Sequence, residues 1–132
     1  MSRGTVRRQA RIACSPDAIW EIVGDPARIQ EWWPGIVAST VDGTTRTVTT
    51  ASGLPMPEEI VTNDSLQRRF QYRITAPMFR EHLSTLDVLD VGDGTSLVVY
   101  AADADPSTLA LIIAGAAGNA LGNLRTMMEG TG

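Results

Sequence analysis

His82, Tyr72 and Tyr100 are the side chains of this sequence best suited to proton chemistry. His82 is the only histidine. An imidazole titrates near neutral pH and is a candidate general base. Two-residue alternation puts it on one strand face with Ser84, Leu86 and Val88, a largely apolar set that belongs inside. Tyr72 shares a face with Phe70 and Ile74, and Tyr100 lies midway along the last strand-like run. A phenol inside a cavity can hydrogen-bond a ligand; a phenol in a packed core finds its partner in protein or water. No cluster of Cys, His and carboxylates surrounds His82 in sequence, so neither a metal site nor a cofactor is expected. The 11 basic residues include no lysine, which excludes Schiff-base and lysine-base mechanisms. Asp103 and Asp105 flank Ala104, but Asp105 precedes Pro106 and is expected to cap a helix.

Bulk properties narrow the function classes. A chain of 132 residues is expected to form one domain, 1–132, with a real core. The net charge of −4 gives no electrostatic case for nucleic acid or for an anionic membrane surface. The single Cys14 excludes an internal disulfide and is expected to be a buried, inert thiol. Met1 to Thr5 carries no apolar run after its charges, so no secretory signal is visible and a cytoplasmic location is expected.

The elements that must position the three candidates follow from punctuation and periodicity. Val6 to Cys14 alternates as a half-buried strand. Ser15-Pro16 starts a short helix with Ile19, Trp20 and Val23 inside, and Gly24 ends it. Asp25-Pro26 opens a second short helix that Pro34-Gly35 stops. Its adjacent Trp32 and Trp33 cannot both bury fully, so one is expected in the core and Trp33 at a cavity mouth. Ile36–Val41 and Thr44–Thr50 form a hairpin around Asp42-Gly43. Ser52–Pro57 is expected to be a loop whose Met56 either gates a pocket or folds onto the protein. Glu59–Thr62, Arg69–Thr75, Glu81–Val91 and Ser96–Asp103 complete seven strands.

The last segment, Pro106 to Glu129, has helical spacing. From Pro106 to Leu124 it carries no charge, which is nearly a membrane-spanning length. Gly115, Gly118, Gly122, Asn119 and Asn123 argue against stable membrane insertion. Leu109, Ile113, Ala117, Leu121, Leu124 and Met128 fall three or four apart on one face, as in a helix buried in a soluble fold. The run Ala114-Gly115-Ala116-Ala117-Gly118 allows two outcomes. Small residues facing the sheet either leave a cavity or permit close packing.

In this order the motifs resemble a known superfamily. They are Ser15-Pro16-Asp17-Ala18-Ile19-Trp20, Gly24-Asp25, Trp32-Trp33-Pro34-Gly35, Glu58-Glu59-Ile60-Val61 with Asn63-Asp64, Gly94-Thr95, and Leu124 to Glu129. Over essentially the whole chain this is similar to the START-like (SRPBCC, Bet v 1-like) superfamily, in its polyketide cyclase/dehydrase-like bacterial branch. The resemblance implies an α+β helix-grip fold: a curved seven-stranded antiparallel sheet around a long C-terminal helix, with two short helices after the first strand. It also implies a cavity for a lipid, polyketide or other small hydrophobic or amphipathic molecule. Expected lining residues are Trp33, Met56, Tyr72, His82, Tyr100, Ile113, Ala117 and Leu121. Three functions are compatible with that frame. A ligand-binding protein is the leading one. A cyclase, aromatase or dehydratase would need His82, Tyr72 and Tyr100 to converge on one side of the sheet. A protein with a collapsed cavity would instead form a homodimer through an outer helix face containing Ile112 and Ala116. The scarcity of charge on that helix favours such a dimer.

Overall fold

The structure is a computed structural model that describes residues 2–130. Strand β1 (Gly4–Ile12) leads into helix α1 (Pro16–Val23), a 3-10 turn (Pro26–Arg28) and the single-turn helix α2 (Ile29–Trp32). Strands β2 (Ile36–Asp42), β3 (Thr45–Thr50), β4 (Pro55–Asp64), β5 (Arg69–Ile74), β6 (Glu81–Asp90) and β7 (Ser96–Asp105) follow, and helix α3 (Ser107–Glu129) closes the chain. All seven strands form one sheet in the order β1-β7-β6-β5-β4-β3-β2, and every neighbouring pair is antiparallel. This is the expected helix-grip α+β architecture.

Local chemistry explains the helix starts. The Ser15 hydroxyl accepts from the Ala18 N–H, and Asp25 Oδ1 accepts from the Ala27 N–H. Each cap satisfies a donor that the first helical turn leaves unpaired, and a proline follows each. The start of α3 differs from expectation. Its N-cap is Pro106, which has no side-chain cap bond, and Asp105 instead lies 3.6 Å from Arg80 Nη1.

The sheet curves where its ladders slip. Register shifts fall between Ile36 and Ala38 in β2 and between Ile60 and Thr62 in β4. Each is an irregularity of the kind that bends a strand and increases its twist. The segment Pro55–Pro57, expected in a loop, belongs to β4. There β4 pairs with β3 alone, because its ladder with β5 begins at Glu58–Ile74. Proline is tolerated in that one-sided stretch, where a missing N–H breaks no second ladder.

Helix α3 packs on the concave face of β1 and β7 through Ala110, Ala114, Ala117, Ala120, Leu121 and Leu124, all buried. Alanine lets the helix settle close to the sheet. The fit is close at Gly4, where an added Cβ would lie 3.1 Å from the Cβ atoms of both Ala110 and Ser107. The helix glycines are not on this seam. Gly115 and Gly122 are exposed with open space around them, and Gly118 faces Arg8. Among the described residues α3 is the helix long and apolar enough to cross a membrane. In this fold it is the core helix gripped by the sheet. Its C-terminal end is tied down by Glu129, whose carboxylate accepts from the Ala13 N–H at 2.7 Å.

Candidate functional site

The curved half of the sheet does not reach α3, and a cavity of about 320 Å3 opens between them. Its walls are mostly apolar. Ile29 and Trp33 come from the α2 region, Ile36 from β2, Val48 from β3, Met56 from β4 and Ile74 from β5. Met78 and Phe79 come from the loop before β6, and Leu109, Ile112, Ile113 and Ala116 from α3. Met78 and Ile112 are half or more exposed, so the cavity meets solvent beside them. Five side chains at the wall carry polar atoms: Trp33, Thr50, Glu58, Tyr72 and Tyr100.

Trp33 reaches the cavity because Trp32 does not. Trp32 is buried in the core, and its carbonyl accepts from Asn123 Nδ2 on α3 at 3.0 Å. That bond fixes the end of α2, so the next side chain turns to the wall, where its ring stands 5.3 Å from that of Tyr100.

Glu58 is the most unusual group at this wall. It is 4% exposed, and its partner Arg46 is 3% exposed. Arg46 Nε donates to Glu58 Oε1 at 2.7 Å, and Nη2 lies 2.6 Å from the same oxygen without a hydrogen-bonding angle. Among the described residues Oε2 accepts no hydrogen bond. The guanidinium is held between two rings, 5.2 Å from the Phe70 centroid and 4.9 Å from that of Tyr72. Burial raises the Glu58 pKa above the usual carboxylate value, and the attraction of Arg46 only partly opposes this.

The three proton-chemistry candidates share one side of the sheet and one hydrogen-bonded chain. Tyr72 and Tyr100 hydroxyls are 2.6 Å apart, Tyr100 donates to Ser84 Oγ at 2.7 Å, and His82 Nε2 lies 2.8 Å from the same oxygen. The β5–β6 ladder ends at Tyr72–Ser84, so the Ile74 N–H beyond it needs another acceptor. His82 Nδ1 supplies one at 2.7 Å. The ring proton therefore sits on Nε2, which donates to Ser84. With the Tyr100 proton given to Ser84, Tyr72 must donate to Tyr100. Burial lowers the His82 pKa to about 4, with Arg73 adding to the effect and Asp103 opposing it. Burial raises Tyr72 to about 12, helped by the charge of Glu58, and raises Tyr100 well above its usual value. At neutral pH all three groups are uncharged. None is a strong base.

Of the residues expected to line a cavity, Trp33, Met56, Tyr72, Tyr100 and Ile113 do so. His82 lies behind Tyr72, with ring centroids 5.6 Å apart, and Ala117 and Leu121 are packed in the core. Ile112 and Ala116, expected on an outer face, also line the cavity, with Ile112 exposed at its mouth. Glu58 and Arg46 were not among the expected site residues. Their signal was alternation: Arg46 is in step with Val48, and Glu58 with Met56 and Ile60.

No metal-ligating cluster of His, Cys, Asp and Glu occurs among the described residues. No curated protein matches the chain. Several solved structures share its fold. The Bacillus cereus protein XoxI superposes with a TM-score of 0.89 at 21% identity, covering 95% of each chain. A Thermobifida fusca protein gives 0.75 at 25% identity, again over 95% of each chain. Norcoclaurine synthase from Thalictrum flavum, in complex with dopamine and hydroxybenzaldehyde, gives 0.73 at 14% identity, over 95% of this chain and 86% of its own. Residues 3–129 match the family described as polyketide cyclase/dehydrase and lipid transport, and with that match spanning the sheet and both ends of its helical grip, the chain belongs to that family.

Proposed function

We propose that the protein binds one small hydrophobic or amphipathic molecule in the cavity between the sheet and α3. The observation that carries this reading is the cavity itself: about 320 Å3, walled mainly by apolar side chains and open beside Met78 and Ile112. That volume lies at the lower end of small-molecule sites, so a ligand of one or two rings or a short chain fits better than a long acyl chain. Trp33, Met56, Tyr72, Tyr100 and Ile113 are the proposed contacts, joined by Glu58, Ile112 and Ala116. Native mass spectrometry and solvent extraction of the purified protein test for a retained ligand. Titration with an uncharged naphthyl probe should saturate at one per chain. Absence of saturable binding would overturn the reading.

An enzyme of the cyclase or dehydratase type is the second reading. One observation favours it: Tyr72, Tyr100 and His82 meet in a single hydrogen-bonded chain on the cavity side. Since those groups are neutral and weakly basic, proton exchange would fall to Glu58. Uptake of solvent deuterium into a bound β-diketone separates catalysis from simple binding. A cytoplasmic location belongs to the same proposal. Self-association through α3 is a separate one, resting on exposed Leu111 and Ile112, and light scattering decides it.

A further inference from the structure

We infer that the cavity selects ligands carrying a neutral hydrogen-bond donor, an alcohol or phenol, which docks on the free oxygen of Glu58. This rests on the binding function proposed above and names its chemistry.

Hydrogen-bond bookkeeping at the wall leads to this selection. Both contacts from Arg46 fall on Glu58 Oε1, which leaves Oε2 without a protein donor among the described residues. The side chain lines the cavity, and Oε2 is not among the fully buried atoms left without a partner, so it meets the cavity itself, where a ligand donor can take the place of water. The neighbouring hydroxyls cannot supply the missing proton. The Tyr100 hydrogen goes to Ser84, and with it committed there the Tyr72 hydrogen goes to Tyr100. Thr50 Oγ1, at the same cavity, donates to the Leu54 carbonyl. These groups therefore present lone pairs to the cavity, and the complementary ligand group is a donor. The Trp33 indole N–H, which has no partner among the described residues, leaves room for one acceptor elsewhere on that ligand.

Charge decides what kind of donor fits. Arg46 and Glu58 together are neutral, and both are almost fully buried. An ammonium group would add an unbalanced positive charge beside the guanidinium in an apolar chamber. A hydroxyl satisfies Oε2 without that cost.

Three probes of similar size test the inference by calorimetry at neutral pH: 2-naphthol, 2-methoxynaphthalene and 2-naphthylmethylamine. The wild-type protein should bind the naphthol at least about tenfold tighter than the ether, the range expected for a hydrogen bond to a charged group. The cationic amine should bind most weakly. The double variant Arg46→Met/Glu58→Leu removes both charges together, so neither is left unpaired. It should bind naphthol and ether within about twofold of each other. Tyr72→Phe should keep the naphthol preference. Equal binding of naphthol and ether by the wild type overturns the inference while leaving the cavity reading intact, and needs no variant to fold. So does tightest binding of the amine. So does a preference that survives the double variant but vanishes in Tyr72→Phe. Failure of all three probes to bind overturns the cavity reading and this inference with it.

Discussion

The neutral ring of His82 shows how one buried side chain ties stability to pH. Its free imidazole value is 6.5, and in the fold burial lowers it to about 4. The neutral form is therefore favoured by folding. Its contribution is complete above pH 6.5 and is lost as pH falls toward 4. That contribution is on the order of 3 kcal/mol. Glu58 runs the other way: its raised value means that protonation on acidification relieves a buried charge. His82→Gln keeps an acceptor for the Ile74 N–H and a donor for Ser84, but does not titrate. The stability gap between wild type and His82→Gln, measured by urea unfolding at pH 7, 5.5 and 4, should narrow as pH falls. A gap that stays constant would mean that the ring is solvated enough to titrate normally. At this scale the sequence was a partial guide. Alternation placed His82, Tyr72 and Ser84 correctly on the inner face. It could not reveal that Ile74 would need an acceptor, because that depends on where the β5–β6 ladder stops.

Along α3 two adjacent alanines have opposite surroundings. Ala116 lines the cavity, whereas Ala117 is fully buried in the core. One residue is about 100° of helical rotation, enough to move from the chamber to the packed seam. Ala116→Phe should fill the chamber, abolish binding of an uncharged naphthyl probe and leave the melting temperature within a few degrees of wild type. Ala117→Phe should overpack the seam and cost about 1–3 kcal/mol. Thermal unfolding and probe titration of both variants check the pair; matching behaviour would contradict the geometry. The stripe of Leu109, Ile113, Ala117, Leu121 and Leu124 was legible from three- and four-residue spacing. Which part of it met a void was not, because alanine suits a tight contact and an open wall equally. The register shifts at Ile36–Ala38 and Ile60–Thr62, on the strands that wall the cavity, leave no local motif. Helix starts at Ser15-Pro16 and Asp25-Pro26 and the turn at Asp42-Gly43 were legible because their causes are local. The Arg46–Glu58 pair was not, since a buried ion pair and two surface charges are written with the same letters.

At the scale of the whole molecule, the order of the strands sets the order in which the fold can assemble. Strands β2 to β7 form a meander, each pairing with its sequence neighbour. Strand β1 pairs only with β7, from Gly4 opposite Ala104 to Ile12 opposite Ser96. Contacts so distant in sequence form late, because closing the long loop costs entropy first. Ile12 is fully buried, so Ile12→Val should cost about 0.5–1.5 kcal/mol. Stopped-flow kinetics should assign that loss mainly to faster unfolding, with the folding rate nearly unchanged. A folding rate that slows in proportion would place β1 in the nucleus instead. During synthesis the same register imposes a delay. Strand β1 leaves the ribosome first, and its partner follows only after some 80 to 90 further residues, on the order of 5–20 s at typical elongation rates. For that interval the nascent chain carries an unpaired strand. Arg7, Arg8 and Arg11, exposed in the finished sheet, give that waiting segment three like charges with which to resist pairing with another chain.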